Sequence, residues 1–269
     1  MNPLKWLKGR YLTRISDNAR ERLKTQPLIG TVDPEDFASS LKDPDAYYRR
    51  AFQDFHHTVP EPLRRHRGYF QLERRGFGED AFHTMWWRLF RKFQPANFLE
   101  IGVYRGQVLS LISLLAKIEA KECSVTGISP FSSAGDSVSN YRKDIDYLHD
   151  TLANFQHFGL PEPELVNAYS TDQAAHEVIR SSAWDMIYID GNHDYDIVLK
   201  DWDVCSRSLK PGGIVVLDDS GLTTAYQPPP FSTGGHPGPS RLASEIDRAG
   251  FEEILQIGHN RVFRKATQD

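Results

Sequence analysis

The sequence is poor in the features that mark several broad protein classes. Only two of its 269 residues are cysteine, Cys123 and Cys205, and they form no CxxC pair. That excludes a disulfide framework and makes a reducing cytoplasm the expected setting. No apolar run approaches the roughly 18–20 residues that cross a bilayer, so no transmembrane segment is expected. The opening MNPLKWLKGRYL is basic but lacks the uninterrupted apolar stretch and small-residue cleavage site of a secretory signal. Nucleic-acid-binding motifs are missing and the net charge is −4, so no nucleic-acid partner is expected. There is no internal repeat and no low-complexity segment.

What is present is an ordinary globular balance, 39% hydrophobic and 25% charged, enough for a large α/β domain with an extension. The charge is uneven. Residues 1–92 hold 18 Lys and Arg against 12 Asp and Glu, a balance of +6, while the remainder holds 14 against 24, a balance of −10. A basic front end could meet an acidic substrate, a membrane surface or a partner; the plainer reading is a solvated helical surface.

The first 92 residues read as short helical pieces, punctuated by Asp-Pro at 33–34 and 43–44 and by Pro60 and Pro62. Residues 79–93 form one helix by pattern, with Phe82, Trp86, Leu89 and Phe93 on one side. From 96 onward strands and helices alternate. Strands are predicted at 96–102, 123–129, 163–168, 184–190 and 212–218, with helices at 106–118, 139–158, 171–181 and between the last two strands. A helix at 240–249 and strands at 251–257 and 260–264 close the chain. The expected fold is α/β: a doubly wound, mostly parallel seven-stranded sheet with a terminal antiparallel hairpin, His259-Asn260 near its turn. Residues 1–92 are expected to be a helical N-terminal extension and residues 93–269 the catalytic domain. The extension is a candidate either to cover the site or to pair subunits in a homo-oligomer.

In such sheets ligands gather at the carboxyl ends of the strands. The first strand ends in Glu100-Ile-Gly102-Val-Tyr-Arg-Gly106, an ExGxxxG turn rather than the GxGxxG that cradles a pyrophosphate. Its glycines let a ligand approach the backbone, and its carboxylate can accept a hydrogen bond, although a plain tight turn would also need Gly102. Asp190 closes the fourth strand, and Asp218 and Asp219 close the fifth after Lys210-Pro-Gly-Gly. Neighbouring strands sit about 4.8 Å apart, so these carboxylates can converge on one hard divalent cation: Mg²⁺, Mn²⁺ or Ca²⁺. The alternative is that one aspartate caps a turn and the others face solvent. His193, three residues past Asp190, is the candidate general base, with Asp194 either orienting it or capping the next helix. The loop from Thr223 to Ser240 is a candidate lid or substrate-binding element and carries His236, a weaker acid/base candidate; a disordered surface loop is an equal alternative.

Taken together, FLEIGVYRG and WDMIYIDGNHDYDIVLKDWDVCSRSLKPGGIVVLDD resemble the class I S-adenosylmethionine-dependent methyltransferases. The branch most resembled is the metal-dependent O-methyltransferases acting on catechols and on macrolide sugars, over about residues 95–265. The resemblance implies methyl transfer from S-adenosylmethionine to a hydroxyl of a small-molecule or saccharide substrate. Glu100 and Gly102 would line the methionine end of the cofactor, with Gly106 packing behind the turn. Asp190, Asp218 and Asp219 would hold Mg²⁺, Asp190 also bordering the cofactor, and His193 would stand near the acceptor. The sequence departs from the branch at Ser129, where an acidic residue usually binds the ribose; Ser129 can still bind the cofactor by one hydrogen bond to a ribose hydroxyl, and Asp136 is a candidate to compensate. That departure keeps two other uses of the fold in view: an oxidative, hydroxylase-like enzyme with a redox metal, and a non-catalytic binding module.

Overall fold

The computed structural model describes residues 3–27, 33 and 35–267. Pro34, of the first Asp-Pro pair, lies outside the described residues. The N-terminal third is helical: α1 (Pro3–Thr25), α2 (Ala38–Lys42), α3 (Pro44–His57), α4 (Glu61–Gln71) and α5 (Asp80–Phe93). Local chemistry sets these boundaries. Asp43 caps α3 by accepting the Ala46 N–H at 2.9 Å, and Pro44 occupies the first turn, where its missing N–H costs nothing. Helix α5 opens on Asp80, closes on Arg91 and Lys92, and ends where Gln94 turns left-handed ahead of Pro95.

The sheet follows in the expected alternation. Its members are β1 (Asn97–Ile101), α6 (Gln107–Ile118), β2 (Ser124–Ser129), α7 (Tyr147–His157), β3 (Glu164–Asn167), α8 (Gln173–Ser181), β4 (Trp184–Ile189), α9 (Tyr195–Ser208), β5 (Leu209–Leu217), α10 (Pro237–Glu245), β6 (Phe251–Ile257) and β7 (Asn260–Lys265). The strand order is β3-β2-β1-β4-β5-β7-β6. All pairings through β5 are parallel, while β7 runs antiparallel to both β5 and β6. Among the described residues, no helix is long and apolar enough to cross a membrane.

Alternation along the strands divides the core into two layers. Phe98, Met186, Tyr188, Ile214 and Val216 face the side covered by α3, α5 and α6. Leu99, Ile101, Ile187, Ile189, Val215 and Leu217 face the side covered by α8, α9 and α10. The first layer is continuous with buried residues of the N-terminal helices, among them Tyr47, Tyr48, Phe52 and Leu63. The extension is therefore fused to the sheet by packing.

Two helices differ from the expected spans. The helix expected at 139–158 begins only at Tyr147, because Asp146 caps it by accepting the His149 N–H at 3.0 Å. The freed stretch 139–146 is a loop beside His193. The helix expected at 240–249 is α10, which starts at Pro237, a residue preset for the first turn.

Candidate active site

Parallel register brings the strand ends level. The pairs Ile101–Ile189 and Ile189–Leu217 leave Gly102, Asp190 and Asp218 as the next residues of three adjacent strands. The ladder continues one step further: the Asp190 N–H donates to the Ile101 carbonyl at 2.8 Å and the Asp218 N–H to the Ile189 carbonyl at 3.0 Å.

Gly102 has φ +95°, and a Cβ there would sit 1.9 Å from the Asp190 carbonyl oxygen. Only glycine lets the two strand ends approach this closely. Gly106, also left-handed at φ +75°, is the side-chain-free N-cap of α6 and packs against Thr151 behind the turn. The missing cap comes from Glu100, whose Oε2 accepts the Leu109 N–H at 3.0 Å. Burial pushes the Glu100 carboxyl up to about 8; the Leu109 N–H opposes this and the nearby Asp218 adds to it. Glu100 thus organises the turn as well as facing the cavity.

Asp190 and Asp218 share a hydrogen bond between carboxyls, and burial together with mutual repulsion drives Asp190 well above the usual carboxylate range. Burial also raises Asp218, although His259 opposes it. The Tyr188 hydroxyl donates to Asp190 at 3.1 Å. Asp218 Oδ1 is buried without a hydrogen-bond partner. Asp219 turns left-handed at φ +49° and stays ionised: burial would raise it, but hydrogen bonding to His193 and the charge of His259 hold it low. Adjacent carboxyls whose ionised forms burial disfavours, one of them with an orphaned buried oxygen, are the environment a divalent cation would complete, so the residues fit the expected metal.

His193 is clamped. Its Nδ1 lies 2.6 Å from Asp136 Oδ2 and its Nε2 lies 2.9 Å from Asp219 Oδ2. Burial works against the charged ring, yet the two carboxylates outweigh it and push the pKa up to about 9. Asp136 also accepts the His193 backbone N–H at 3.0 Å. Asp194 does not orient His193; its carboxylate accepts from the Ser137 hydroxyl instead. Asp136 is committed to this histidine and to the Val138 and Ser139 N–H groups, so it does not take the place of a ribose-binding acid. Ser129, at the end of β2, lines the cavity.

Two further histidines complete the cluster. His236 Nε2 lies 3.4 Å from Asp219 Oδ2, and His259 Nε2 lies 3.4 Å from Asp218 Oδ1 and 3.9 Å from Asp219 Oδ1. His236 reaches the site because its N–H donates to the Asp219 carbonyl at 2.7 Å, where Gly235 packs directly against Asp219. His259 arrives because β7 is antiparallel to β5, which puts the β6–β7 turn at the carboxyl end of β5.

The loop after β5 forms the roof and is held by the N-terminal helices. Tyr226 is buried against Tyr48 with ring centroids 5.0 Å apart, and its hydroxyl donates to Ser232 at 2.9 Å. Phe231 packs on Phe52 at 5.4 Å and lies under the Arg20 guanidinium at 4.9 Å, while the Ser16 hydroxyl donates to the Pro230 carbonyl at 3.0 Å. Beneath this roof is a cavity of about 720 Å³, within the range of small-molecule sites. Glu100, Gly102, Ser129, Asp190, His193, Asp218 and Asp219 all line it; Gly106 does not. The N-terminal region contributes Phe77, Glu79, Phe82, His83 and Trp86.

Residues 99–220, the segment carrying these strand ends, match the family described as a methyltransferase domain. That match takes in a little under half of the chain. Its fold is shared with an O-methyltransferase from Bacillus cereus in complex with SAH (TM-score 0.53, 12% identity, 84% of this chain and 100% of that one). It is also shared with MycE, a methyltransferase of the mycinamycin biosynthetic pathway in complex with Mg and SAH (TM-score 0.51, 16% identity, 79% and 56%). In sequence, the chain is 27% identical over 152 residues to the uncharacterized protein R132 of Acanthamoeba polyphaga mimivirus. That match takes in 56% of this chain and 60% of the length of R132.

Proposed function

We propose that this protein moves a methyl group from S-adenosylmethionine to a hydroxyl of a sugar, glycan or natural product, using a divalent cation, Mg²⁺ or another, held by Asp190, Asp218 and Asp219. The observation that carries the reading is that those carboxylates and His193 all line one roofed cavity beside the Gly102 turn, with Asp190 hydrogen-bonded to Asp218 and Asp219 next to it. Residues 93–269 act as the catalytic unit and residues 1–92 as the support of its roof.

Bound S-adenosylmethionine would supply an electrophilic methyl, and the cation would lower the pKa of the acceptor hydroxyl. The chain's own groups do the rest. The Gly102 turn gives backbone access for the methionine end, and Ser129 offers a single hydroxyl toward the ribose. The roof residue Phe231, which lines the cavity, excludes water and fixes the acceptor so that reacting atoms meet in line, while Tyr226 holds the loop from behind. His193 begins as a fixed cation between two carboxylates. Were Asp219 engaged by a cation, the ring would release its Nε2 proton to solvent and could then take the proton of the acceptor hydroxyl there, while Asp136 holds Nδ1.

The test is methyl transfer from labelled S-adenosylmethionine to a panel of hydroxylated sugars and phenols. Asp190→Ala and Asp218→Ala should abolish metal-stimulated turnover while the melting transition stays cooperative. Full activity in EDTA would remove the metal from the reading.

One observation favours an oxidative second reading. His193, Asp219 and His236 present two imidazoles and one carboxylate within 4.8 Å of one another, the ligand set of many non-haem iron enzymes. Stoichiometric iron in protein purified without oxygen, with no binding of S-adenosylmethionine, would select it.

A further inference from the structure

The cation proposed above has been assigned oxygen ligands only, which would make it a hard ion. We infer that His259 is a nitrogen ligand of that same cation, so that the site selects a transition metal such as Mn²⁺ or Fe²⁺ over Mg²⁺. The inference rests on the metal half of the proposed function and is independent of methyl transfer.

The geometry around His259 is that of an imidazole prepared for a metal. Its Nε2 faces Asp218 Oδ1 at 3.4 Å and Asp219 Oδ1 at 3.9 Å, and the three donor atoms lie within 4.8 Å of one another. Donors about 3 to 3.5 Å apart are what neighbouring ligands about 2.1 Å from one ion require. The first of these separations is long for a charge-assisted hydrogen bond, which draws N and O to about 2.7–2.9 Å. The opposite ring nitrogen is anchored: Nδ1 lies 3.2 Å from the Thr233 carbonyl oxygen, to which it can donate. A metal-bound histidine characteristically donates its second N–H to such an acceptor, which fixes the tautomer and aims the free nitrogen. The phenyl ring of Phe82 further fixes the imidazole edge-on, with centroids 4.7 Å apart.

Two unpaired oxygens point the same way. Asp218 Oδ1, which faces His259, has no hydrogen-bond partner. Asn260, adjacent in sequence and 1% exposed, leaves its Oδ1 without a partner while lining the same cavity. Buried oxygens are rarely left unsatisfied unless an ion, water or ligand completes them. Imidazole binds borderline transition metals well, whereas Mg²⁺ prefers carboxylate and water oxygens. A mixed Asp, Asp and His set therefore discriminates in favour of the former.

The probe is Mn²⁺ bound to the full-length protein, read by pulsed electron paramagnetic resonance. A directly bound imidazole gives nitrogen modulation, whose pattern changes when the protein is made with ¹⁵N-histidine. The expected result is modulation in the wild type, its loss in His259→Gln, and its persistence in His236→Gln. Calorimetric competition should show Mn²⁺ bound at least tenfold more tightly than Mg²⁺, with that margin lost in His259→Gln. The ¹⁵N-histidine comparison needs no substitution, so a poorly folded variant does not blunt the test. Absence of nitrogen modulation in the wild type, or its survival in His259→Gln, would overturn the inference. So would Mn²⁺ binding unchanged by Asp218→Asn, which would place the ion elsewhere. Because none of these readings uses an acceptor, loss of methyl transfer alone would count against the proposed function and not against this ligand.

Discussion

Asp201 offers a quantitative check on the electrostatics beneath the site. It lies on α9 and is 1% exposed; neither carboxylate oxygen makes a hydrogen bond of full geometry, and the Ser170 hydroxyl offers only a marginal one. Its Oδ2 sits 3.5 Å from where a Cβ on Gly191 would be, just below the loop that carries His193. Burial pushes its pKa from 3.8 up to about 6, with the Ser170 hydroxyl and the Lys200 charge pulling the other way. A carboxyl raised on folding binds its proton more tightly in the native state than in the unfolded one. Stability is then undiminished below the unfolded pKa of 3.8 and falls as pH rises through about 6. At 1.36 kcal/mol per tenfold change in proton affinity, the penalty above pH 7 is about 3 kcal/mol. Asp201→Asn keeps the shape and removes the charge. Allowing for burial of the amide, it should stabilise the protein by about 1–3 kcal/mol at pH 8, and by about 1.4 kcal/mol less than that at pH 5, where roughly half of the penalty is already present. Urea unfolding at both pH values measures this directly. A variant less stable than wild type at pH 8, or a difference that ignores pH, would show that the Asp201 charge has a partner and refute the reasoning.

Two other substitutions test the scaffold. Gly102→Ala places a Cβ 1.9 Å from the Asp190 carbonyl oxygen in a left-handed backbone. It should cost about 2–3 kcal/mol or more in thermal unfolding and abolish binding of S-adenosylhomocysteine; retained binding would show that the β1 and β4 ends need not meet so closely. Tyr226→Ala removes the roof's contact with Tyr48 and its hydrogen bond to Ser232. Amide exchange over residues 221–236 should accelerate and KM for the acceptor should rise; an unchanged exchange rate would mean the roof is held by its other contacts.

The sheet and its strand ends were legible because the relevant signals are local. Apolar runs such as WDMIYID and GGIVVLD stop abruptly at aspartate, and parallel pairing then puts Asp190 and Asp218 side by side. Glu100 was legible as a cavity residue but not as the cap of α6, since its acceptor role exists only because Gly106 has no side chain to cap with. The partners of His193 were not legible. Asp136 lies 57 residues away on a loop read as leading into a long helix, whereas Asp194, next in sequence, points elsewhere. His259 had an unused signal: a hairpin whose second strand pairs with β5 must start at the ligand end of the sheet. The roof was the hardest to place, because a Pro-rich loop with Tyr226 and Phe231 shows no periodicity that says which helices will cover it.

The most direct test of the whole account is calorimetric titration of the protein with S-adenosylmethionine, with and without a divalent cation. The account predicts one molecule bound per chain, weakened at least tenfold by Gly102→Ala, and cation binding that is lost in Asp218→Asn. Heat-silent titrations confirmed by equilibrium dialysis, with the protein folded and the cation present, would contradict it.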